Sequence, residues 1–411
     1  MSLDIITFGC RLNIYESSVI KQHAQKAGLK DAIIFNSCAV TEEAEKKLQQ
    51  AIRKAKRTQP HKKILVTGCA AQIAPKKYAA LADAVFGNDE KLHLQTYKEL
   101  QNNSTKSLVS DIMSVKKTTH HVIDGIESKT RAFLQIQNGC NHRCTFCVIP
   151  YGRGNSRSVP VGEIVRSAKQ LVSQGYRELV LTGVDMTGYG SDLPGQPSLG
   201  NMISRMLQMV PEILRLRLSS VDVAEVDDEL LEVITSNQRF MPYLHLSLQS
   251  GNNMILKRMK RRHNREQTIN FCQDVLSRRA EMVFGADIIA GFPTETEDMF
   301  LDSFKLIEEL NIMHLHVFPY SVRNNTPAAR MPQVNPEVIT RRAKELRTLQ
   351  KGLLYEHLKK KIGNNQSILM ETDGRGLTED YCKAQTTLKI VPGEVRELRV
   401  KSVLDNKLLV E

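Results

Sequence analysis

The sequence lacks any apolar run that reaches the roughly 18 residues of a membrane-spanning helix. It also lacks a basic start followed by an apolar run, so no secretory signal is expected, and we predict a cytoplasmic protein without a membrane partner. Internal repeats and low-complexity tracts are absent as well. With 41% hydrophobic and 25% charged residues, the composition is that of a globular chain and excludes disordered, collagen-like and coiled-coil classes.

The length of 411 residues exceeds what one compact core serves, so two or three domains are expected. The net charge is +12, to which residues 1–130 contribute +7, residues 131–360 contribute +5 and residues 361–411 contribute nothing. A basic body suits a polyanionic partner such as RNA. The alternative is a solvated surface with a mild excess of lysine.

The first 90 residues alternate between short apolar strands and helical patterns. Strands are predicted at residues 5–8, 32–35 and 64–67, with helices at residues 17–27 and, capped by Thr41, at residues 41–56. Such alternation predicts a parallel sheet covered by helices, whose ligands bind beyond the carboxyl ends of the strands. We therefore predict an α/β domain over residues 1–110 and a polar linker over residues 111–130.

A second alternating series over residues 131–360 predicts a partial barrel of six βα units, with its active site at the carboxyl ends of the strands. Its strands are predicted at residues 133–137, 178–182, 214–219, 243–248, 283–289 and 312–318, and its helices near residues 162–173, 199–209, 226–236, 265–279 and 297–310. A polar helix near residues 336–361 leads to the tail. Residues 361–411 predict a small β-barrel from β-like runs at residues 367–370, 387–391, 396–403 and 408–410.

Three cysteines, Cys140, Cys144 and Cys147, form a C-x3-C-x2-C run just after the first strand of the second series. A tetrahedral structural zinc requires four protein ligands, and no fourth cysteine is near in the sequence. Three thiolates on a 4Fe–4S cluster leave one iron free to chelate a substrate or cofactor. Incidental buried cysteines are the remaining alternative, which the close spacing disfavours.

Three further cysteines follow three different strands of the first series: Cys10, Cys38 and Cys69. Because parallel strands end at one edge of a sheet, the fold is expected to bring these thiols together. Each alone is more typical of a core residue, but their equivalent positions favour a second three-cysteine cluster site. Cys272, in a predicted helix, and Cys382, in the tail, have no such partners and are interpreted as structural.

The C-x3-C-x2-C run and the six βα units resemble the radical S-adenosylmethionine (SAM) enzymes. The segments around Cys10 (Thr-Phe-Gly-Cys-Arg-Leu-Asn), Cys38 (Asn-Ser-Cys-Ala-Val-Thr) and Cys69 (Thr-Gly-Cys) resemble the N-terminal domain of methylthiotransferases. The tail resembles a TRAM domain, a small RNA-associated β-barrel. This resemblance covers nearly the whole chain and implies two 4Fe–4S clusters, one binding SAM and the other holding or relaying sulfur.

Within that family, the segment Pro150-Tyr-Gly-Arg-Gly-Asn-Ser-Arg157 is similar to the branch that acts on N6-threonylcarbamoyladenosine in tRNA. The implied reaction adds a methylthio group to carbon 2 of this adenosine, next to the anticodon. Implied partners are tRNA, an electron donor such as flavodoxin or ferredoxin, and a sulfur source. The alternatives are a methylthiotransferase for isopentenyladenosine tRNA or for a ribosomal protein aspartate, and a non-catalytic iron–sulfur RNA-binding protein.

The resemblance also implies roles for residues at the carboxyl ends of the barrel strands. The residues expected to shield the cluster or contact SAM are Phe146, Gly183, Asp185, Ser219, Gln249, Asp287 and Gly291. The residues expected to face the substrate are Tyr151, Arg153, Arg157, Tyr320 and Arg323. The basic run at residues 257–262 is a further candidate for RNA contact, or else a solvated helix end.

Overall fold

The computed structural model describes residues 3–102, 106–118 and 130–411. Its first part is a five-stranded parallel sheet in the order β1-β2-β3-β4-β5 with helices on both faces. The strands are β1 (Leu3–Thr7), β2 (Ala32–Ser37), β3 (Lys63–Gly68), β4 (Ala84–Phe86) and β5 (Ser107–Leu108), and the helices are α1 (Arg11–Lys26), α2 (Glu42–Thr58), α3 (Cys69–Ile73), α4 (Pro75–Ala79) and α5 (Leu94–Gln101).

The predicted parallel sheet is confirmed, with differences in its elements, and the helices α3, α4 and α5 were not predicted. The Thr41 hydroxyl accepts a hydrogen bond from the amide of Ala44, as expected for the cap of α2. Helix α1 begins at Arg11 rather than at residue 17, directly after Cys10. Strands β4 and β5 were not predicted because they span three and two residues, too few to show a periodic pattern. Of the predicted linker, residues 119–129 lie outside the described residues.

The second part is the predicted partial barrel. Parallel strands β6, β9 and β10 form one half and β11, β12 and β13 the other, joined by two parallel bridges, Leu216 to Phe240 and Val221 to Leu246. The strands are β6 (Arg131–Gln135), β7 (Gln137–Asn138), β8 (Arg157–Ser158), β9 (Glu178–Thr182), β10 (Arg215–Leu218), β11 (Tyr243–Gln249), β12 (Val283–Ala290) and β13 (His314–Pro319). Strands β7 and β8 form a separate antiparallel pair beside the barrel.

The helices of this part are α6 (Ile149–Arg153), α7 (Val161–Ser173), α8 (Leu199–Met209), α9 (Asp228–Ser236), α10 (Asn253–Met259), α11 (Arg265–Arg278), α12 (Glu297–Glu309) and α13 (Pro336–Lys359). All of them except the short α6 and α10 share one large apolar core with the barrel strands. Each predicted helix of this part is present, and two short ones, α6 and α10, were missed. No helix among the described residues is long and apolar enough to cross a bilayer.

The tail folds into the predicted small β-barrel, closed in the order β14-β15-β16-β18-β17. Its strands are β14 (Asn365–Thr372), β15 (Arg375–Thr378), β16 (Lys383–Gln385), β17 (Val395–Leu404) and β18 (Lys407–Val410). The strand predicted at residues 387–391 was wrong: this segment is irregular, and its apolar side chains Leu388 and Val391 are 46% and 63% exposed. Because it packs little apolar surface, its β-like composition does not produce pairing.

Tyr381 of the tail connects all three parts of the structure. The guanidinium groups of Arg11, Arg131 and Arg217 lie 5.2–5.6 Å from the centre of its ring. Arg11 and Arg131 also donate hydrogen bonds to its hydroxyl. Burial works against ionisation of the phenol, but the arginines outweigh it and lower the pKa of Tyr381. One side chain thus fixes the tail against α1 and the barrel.

We predict that Gly200→Ala destabilises the barrel, because a Cβ at this position of α8 would lie 2.6 Å from the carbonyl carbon of Glu229 in α9 and close to the amide of Leu230. Overpacking of this kind costs about 1–3 kcal/mol. The matched control is Gly352→Ala in α13, where a Cβ meets nothing within 4 Å and the substitution should stabilise by about 0.5–1 kcal/mol. Urea unfolding measures both, and equal effects would contradict the packing argument.

Candidate active site

Two sets of parallel strand ends face each other across a cavity of about 490 Å³. The sheet of the first part contributes Cys10 and Cys38 to its wall, and the barrel contributes Gly183, Ser219 and Asp287. Two of the predicted sulfur-handling cysteines and three of the predicted SAM-contacting residues therefore line the same cavity. A smaller cavity of about 180 Å³ continues from it past Phe146 and Cys147.

Each sulfur of the loop that carries Cys140, Cys144 and Cys147 has a hydrogen-bond donor nearby. The amide of His142 donates to Cys140 over 3.3 Å, the amide of Ile149 donates to Cys147 over 3.4 Å, and the Nη1 atom of Arg261 lies 3.7 Å from the Cys144 sulfur. Donors around sulfur stabilise its thiolate form, which is the form that ligates metals. Each of the chain's eight cysteines is a free thiol in this structure.

The chemistry of this loop fits a cationic group among the thiols. Burial, and then the neighbouring Cys144, raise the pKa of Cys147 to about 12. Burial and Asp185 also raise the pKa of Cys140. Buried thiols of this kind ionise when a metal centre compensates their charge, and metal binding then releases protons. The loop residues therefore fit an iron–sulfur cluster.

His142 is the residue that a zinc site would need as a fourth ligand. The ligand atoms of Cys140, His142 and Asp185 lie within 4.8 Å of one another. The Nε2 atom of His142 lies 3.0 Å from Asp185 and 3.6 Å from Glu225, and these carboxylates raise the pKa of His142 to about 9. The imidazole of His142 is therefore held by two carboxylates beside the cysteine loop.

The residues predicted to contact SAM lie near this loop, with one exception. The side-chain oxygen of Gln137 accepts hydrogen bonds from the amides of Val184 and Asp185, each over 2.9 Å, and so fixes the turn after β9. A Cβ on Gly183 would lie 2.7 Å from Met186, so this turn requires glycine. Phe146 and Gln249 line the smaller cavity.

Gly291 is the exception among the predicted SAM contacts. It has a φ of +74°, and a Cβ there would lie 2.5 Å from the Ile339 side chain of α13. Its amide donates to the carboxylate of Glu295. These contacts give Gly291 a packing role behind the barrel wall.

Asp287 is part of a hydrogen-bonded row that the sequence analysis did not identify. Its Oδ1 atom lies 2.9 Å from His245 Nε2 and 3.1 Å from His316 Nδ1. Tyr243 in turn bonds to the second nitrogen of His245 over 2.8 Å. Burial acts first to raise the pKa of Asp287, but the two histidines outweigh it and lower that pKa. Asp287 is therefore ionised in the cavity wall.

The cysteines of the first part follow β1, β2 and β3, as predicted. Gly9 and Gly68 precede Cys10 and Cys69 with φ values of +97° and +95°, so the chain turns at each strand end where only glycine fits easily. A Cβ on Gly9 would lie 2.7 Å from the Cβ of Cys38. Burial, and then the nearby Cys69, raise the pKa of Cys38 to about 11. The thiols are thus close enough to interact, which fits a shared cluster.

The predicted substrate residues divide into three groups. Tyr151 is 46% exposed on α6, where it is free to meet a large partner. Tyr320 and Arg323 line the smaller cavity, and Arg323 pairs with Glu45 of α2 over 2.7 Å.

Arg153 and Arg157 are buried, at 3% and 5% exposure. The guanidinium of Arg157 donates to the carbonyls of Arg153 and Asn155, and that of Arg153 pairs with Glu16. Stacking of Arg153 on a base does not agree with this burial. The segment forms the short helix α6, in which Tyr151 is exposed while Arg153 is buried.

The basic run at residues 257–262 also turns partly inward. Arg261 donates to Asp222 over 2.8 Å and to the carbonyl of Ser247. Arg262 pairs with Glu225, and Arg258 donates to Thr294. These arginines support the cysteine loop rather than forming a solvated helix end.

A partial barrel of six parallel strands with a three-cysteine loop behind its first strand defines a radical SAM protein. The family model "Radical SAM superfamily" matches residues 134–307, and "Uncharacterized protein family UPF0004" matches residues 2–87. The chain is 52% identical to the threonylcarbamoyladenosine tRNA methylthiotransferase MtaB of Rickettsia prowazekii, over 95% of this chain and 93% of that relative.

It is 33% identical to a tRNA-2-methylthio-N(6)-dimethylallyladenosine synthase of Carboxydothermus hydrogenoformans, over 92% and 89%. The structure of the radical SAM methyltransferase TsrM of Kitasatospora setae agrees in fold, with a TM-score of 0.54 over 77% of this chain and 70% of that one, at 14% identity. The chain belongs to the radical SAM methylthiotransferase family. That family implies a 4Fe–4S cluster, SAM and a reductant.

Proposed function

We propose that this protein adds a methylthio group to carbon 2 of N6-threonylcarbamoyladenosine in tRNA, next to the anticodon. The observation that carries the proposal is the cavity on which Cys10 and Cys38 of one sheet meet Gly183, Ser219 and Asp287 of the barrel. A reaction that joins sulfur to carbon needs a sulfur site and a carbon-activating site that open onto the same cavity. The 52% identity to a relative named for this reaction supports the choice of substrate.

Carbon 2 of adenine has no acidic proton and no leaving group, so general acid–base groups alone have little effect on it. When bound, SAM on a reduced 4Fe–4S cluster supplies a 5′-deoxyadenosyl radical, the kind of cofactor chemistry that such a C–H bond requires. In this proposal Cys140, Cys144 and Cys147 hold that cluster. Phe146, which packs edge-on against Phe292, keeps water from it.

The residues of the barrel wall would orient SAM. Asp185 lies beside Cys140, with its carboxylate 3.6 Å from that sulfur, where it is placed to meet the ammonium of a cofactor chelated at the cluster. Gly183 lies in the cavity wall, where its backbone would face the ligand. Ser219 and Asp287 lie further along the same wall and suit hydroxyl and amino groups.

A second 4Fe–4S cluster on Cys10, Cys38 and Cys69 would hold the sulfur that is transferred. Support comes from the three equivalent strand ends and from the opening of two of the thiols onto the shared cavity. The sulfur source and the electron donor, of the flavodoxin or ferredoxin type, act from outside the chain. Cytoplasmic tRNA is the matching substrate pool.

Binding of tRNA would draw on the net charge of +12, through lysine and arginine contacts to phosphates that do not select a base. Exposed Tyr151 is the candidate to stack on an unstacked base near the anticodon. Tyr320, on the wall of the smaller cavity, would meet the modified nucleoside.

The first prediction from this proposal is the iron content. Anaerobically reconstituted protein should hold about eight irons per chain, because each three-cysteine site takes one 4Fe–4S cluster. The Cys10→Ala, Cys38→Ala, Cys69→Ala triple variant should hold roughly half, as measured by iron assay and absorption near 400 nm. Cys272→Ala is the matched control, since Cys272 is buried in α11 and should leave iron unchanged. Unchanged iron in the triple variant would refute the second site.

A second prediction separates the work of the two sites. Cys144→Ala should abolish formation of 5′-deoxyadenosine from SAM under reduction, because the SAM-binding cluster loses a ligand. The Cys10, Cys38, Cys69 triple variant should still form 5′-deoxyadenosine while making no methylthio product, measured by chromatography and mass spectrometry. A folded triple variant that forms no 5′-deoxyadenosine would show that this division is wrong.

A third prediction concerns the substrate. Purified protein with SAM, sulfide and reductant should methylthiolate tRNA carrying N6-threonylcarbamoyladenosine and leave isopentenyladenosine tRNA nearly untouched. Affinity for the tRNA should fall steeply as salt rises, since phosphate contacts release counterions. Mass spectrometry of nucleosides gives the product, and tRNA from cells without the gene should lack it. Efficient reaction of the isopentenyl tRNA, or of a ribosomal protein, would assign the chain to another branch.

A further inference from the structure

Arg153 ends α6 of the barrel part, yet its guanidinium lies inside the first part of the structure. Its Nη1 atom donates to Glu16 over 2.8 Å, and its Nη2 atom donates to Glu16 over 3.0 Å and to Asn13 over 2.6 Å. Glu16 is fully buried in α1, and Arg153 is 3% exposed. This two-pronged pair is the strongest class of charged hydrogen bond and fixes the angle between its partners.

Lys91 joins the same pair from the other side. It is also fully buried, and its ammonium lies 2.7 Å from Glu16. Lys91 donates to the side-chain oxygen of Asn88, whose amide nitrogen lies 3.6 Å from the Cys69 sulfur. The same amide donates to the carbonyl of Gly152, one residue before Arg153. A single residue, Asn88, therefore links the charged group to the thiol of Cys69, one of the three cysteines of the first part (the N-terminal set: Cys10, Cys38 and Cys69).

The charges in this buried group do not cancel. One carboxylate, Glu16, faces Arg153 and Lys91, so with Lys91 protonated the group carries one excess positive charge. An isolated charge in the interior costs several kcal/mol unless an opposite charge lies near. Three cysteine thiolates outweigh the charge of an oxidised 4Fe–4S core, so a cluster on Cys10, Cys38 and Cys69 would carry net negative charge beside this group.

Helix α6 brings the charge to the cysteines. It begins at Ile149, whose amide donates to Cys147 of the barrel loop, and it ends at Arg153. At Gly152 a Cβ would lie 3.2 Å from the Cβ of Cys69, so the helix backbone packs against the N-terminal set. One helical turn thus contacts both cysteine sets.

We propose that Arg153 is a positioning residue which, with Lys91 and Glu16, supplies the net positive charge that stabilises the N-terminal cluster and sets its reduction potential. The inference rests on the proposed second cluster and extends it to residues that touch neither SAM nor tRNA. Reduction adds an electron to the cluster. Removing a nearby positive charge therefore makes reduction harder, and removing the nearby negative charge makes it easier.

The test uses full-length protein with Cys140, Cys144 and Cys147 replaced by alanine, so that the N-terminal site alone contributes. After anaerobic reconstitution, iron is assayed and the midpoint potential is measured by titration followed by electron paramagnetic resonance. Arg153→Met should shift the midpoint to more negative values, and Glu16→Gln should shift it to more positive values. Arg153→Lys keeps the positive charge, so its midpoint potential should return most of the way from the methionine value to that of the background protein.

Arg217→Met is the matched control. Arg217 is 1% exposed and pairs with buried Glu178 over 3.0 Å, and its other partners are the Tyr381 ring and the carbonyls of Thr378 and Glu379 in the tail. The Arg217→Met substitution removes an equally buried arginine that lies away from the cysteines, and it should leave the midpoint potential unchanged. General structural damage would move the potential in one direction for all variants, whereas the charge argument requires opposite signs for Arg153→Met and Glu16→Gln.

The outcomes separate the two proposals. If the background protein itself holds no iron, the second cluster of the proposed function is refuted. If it holds a cluster, and neither Glu16→Gln nor Arg153→Met changes the midpoint potential relative to the background protein, the role of Arg153 is overturned. Should Arg153→Met not fold, the nearly isosteric Glu16→Gln decides alone, and an unchanged midpoint overturns the inference.

Discussion

In a parallel sheet, the residues that follow the strands all lie at one edge of the sheet. This chain contains two such edges, one in the first sheet and one in the barrel, and they face each other. Cys10 and Cys38 follow strands of the first sheet on one side of a cavity, and on the other side Gly183 and Ser219 follow barrel strands while Asp287 lies within β12. Residues separated by more than 200 positions thereby become neighbours, as Arg11 and Ser219 do. The chemistry is therefore carried by strand ends, which a rigid core holds in place.

The junction between the two sheets is held by buried charge rather than by apolar packing alone. Glu16, Lys91 and Arg153 come from three separate elements, and each would be costly to bury without the others. Such a group adds little to the net free energy of unfolding, but it constrains how α1 and α6 are placed relative to each other, because only one placement satisfies its hydrogen bonds. A site that must keep two cysteine sets at a fixed separation gains from that strictness.

The sequence was most informative where a pattern and a chemical need coincided. The three strand-end cysteines, the C-x3-C-x2-C loop and the long strands of the barrel were all predictable, because spacing alone places them. His245 and His316 were missed although they alternate with apolar residues in β11 and β13, since a single histidine in a strand is usually a core residue. Period-two placement of Tyr243 and His245 on one face was the available signal.

Other features depend on partners far along the chain. Nothing near Arg153 in the sequence reveals Glu16, which lies 137 residues earlier, so its direction could not be inferred. In the tail, residues 387–391 have the composition of a strand while the shorter β15 and β16 form the barrel. Closure of a small barrel is decided by register between strands, and composition within one segment carries little of that information.

The cysteines of the first part differ in how they can be reached. Cys38 is 8% exposed and the backbone of α6 packs against Cys69, while Cys10 is exposed and, with Cys38, lines the shared cavity. Iron and sulfide for the proposed second cluster would therefore enter through the same cavity as the substrate. Loading and turnover would then compete for one opening, and a bound substrate would block repair of the site.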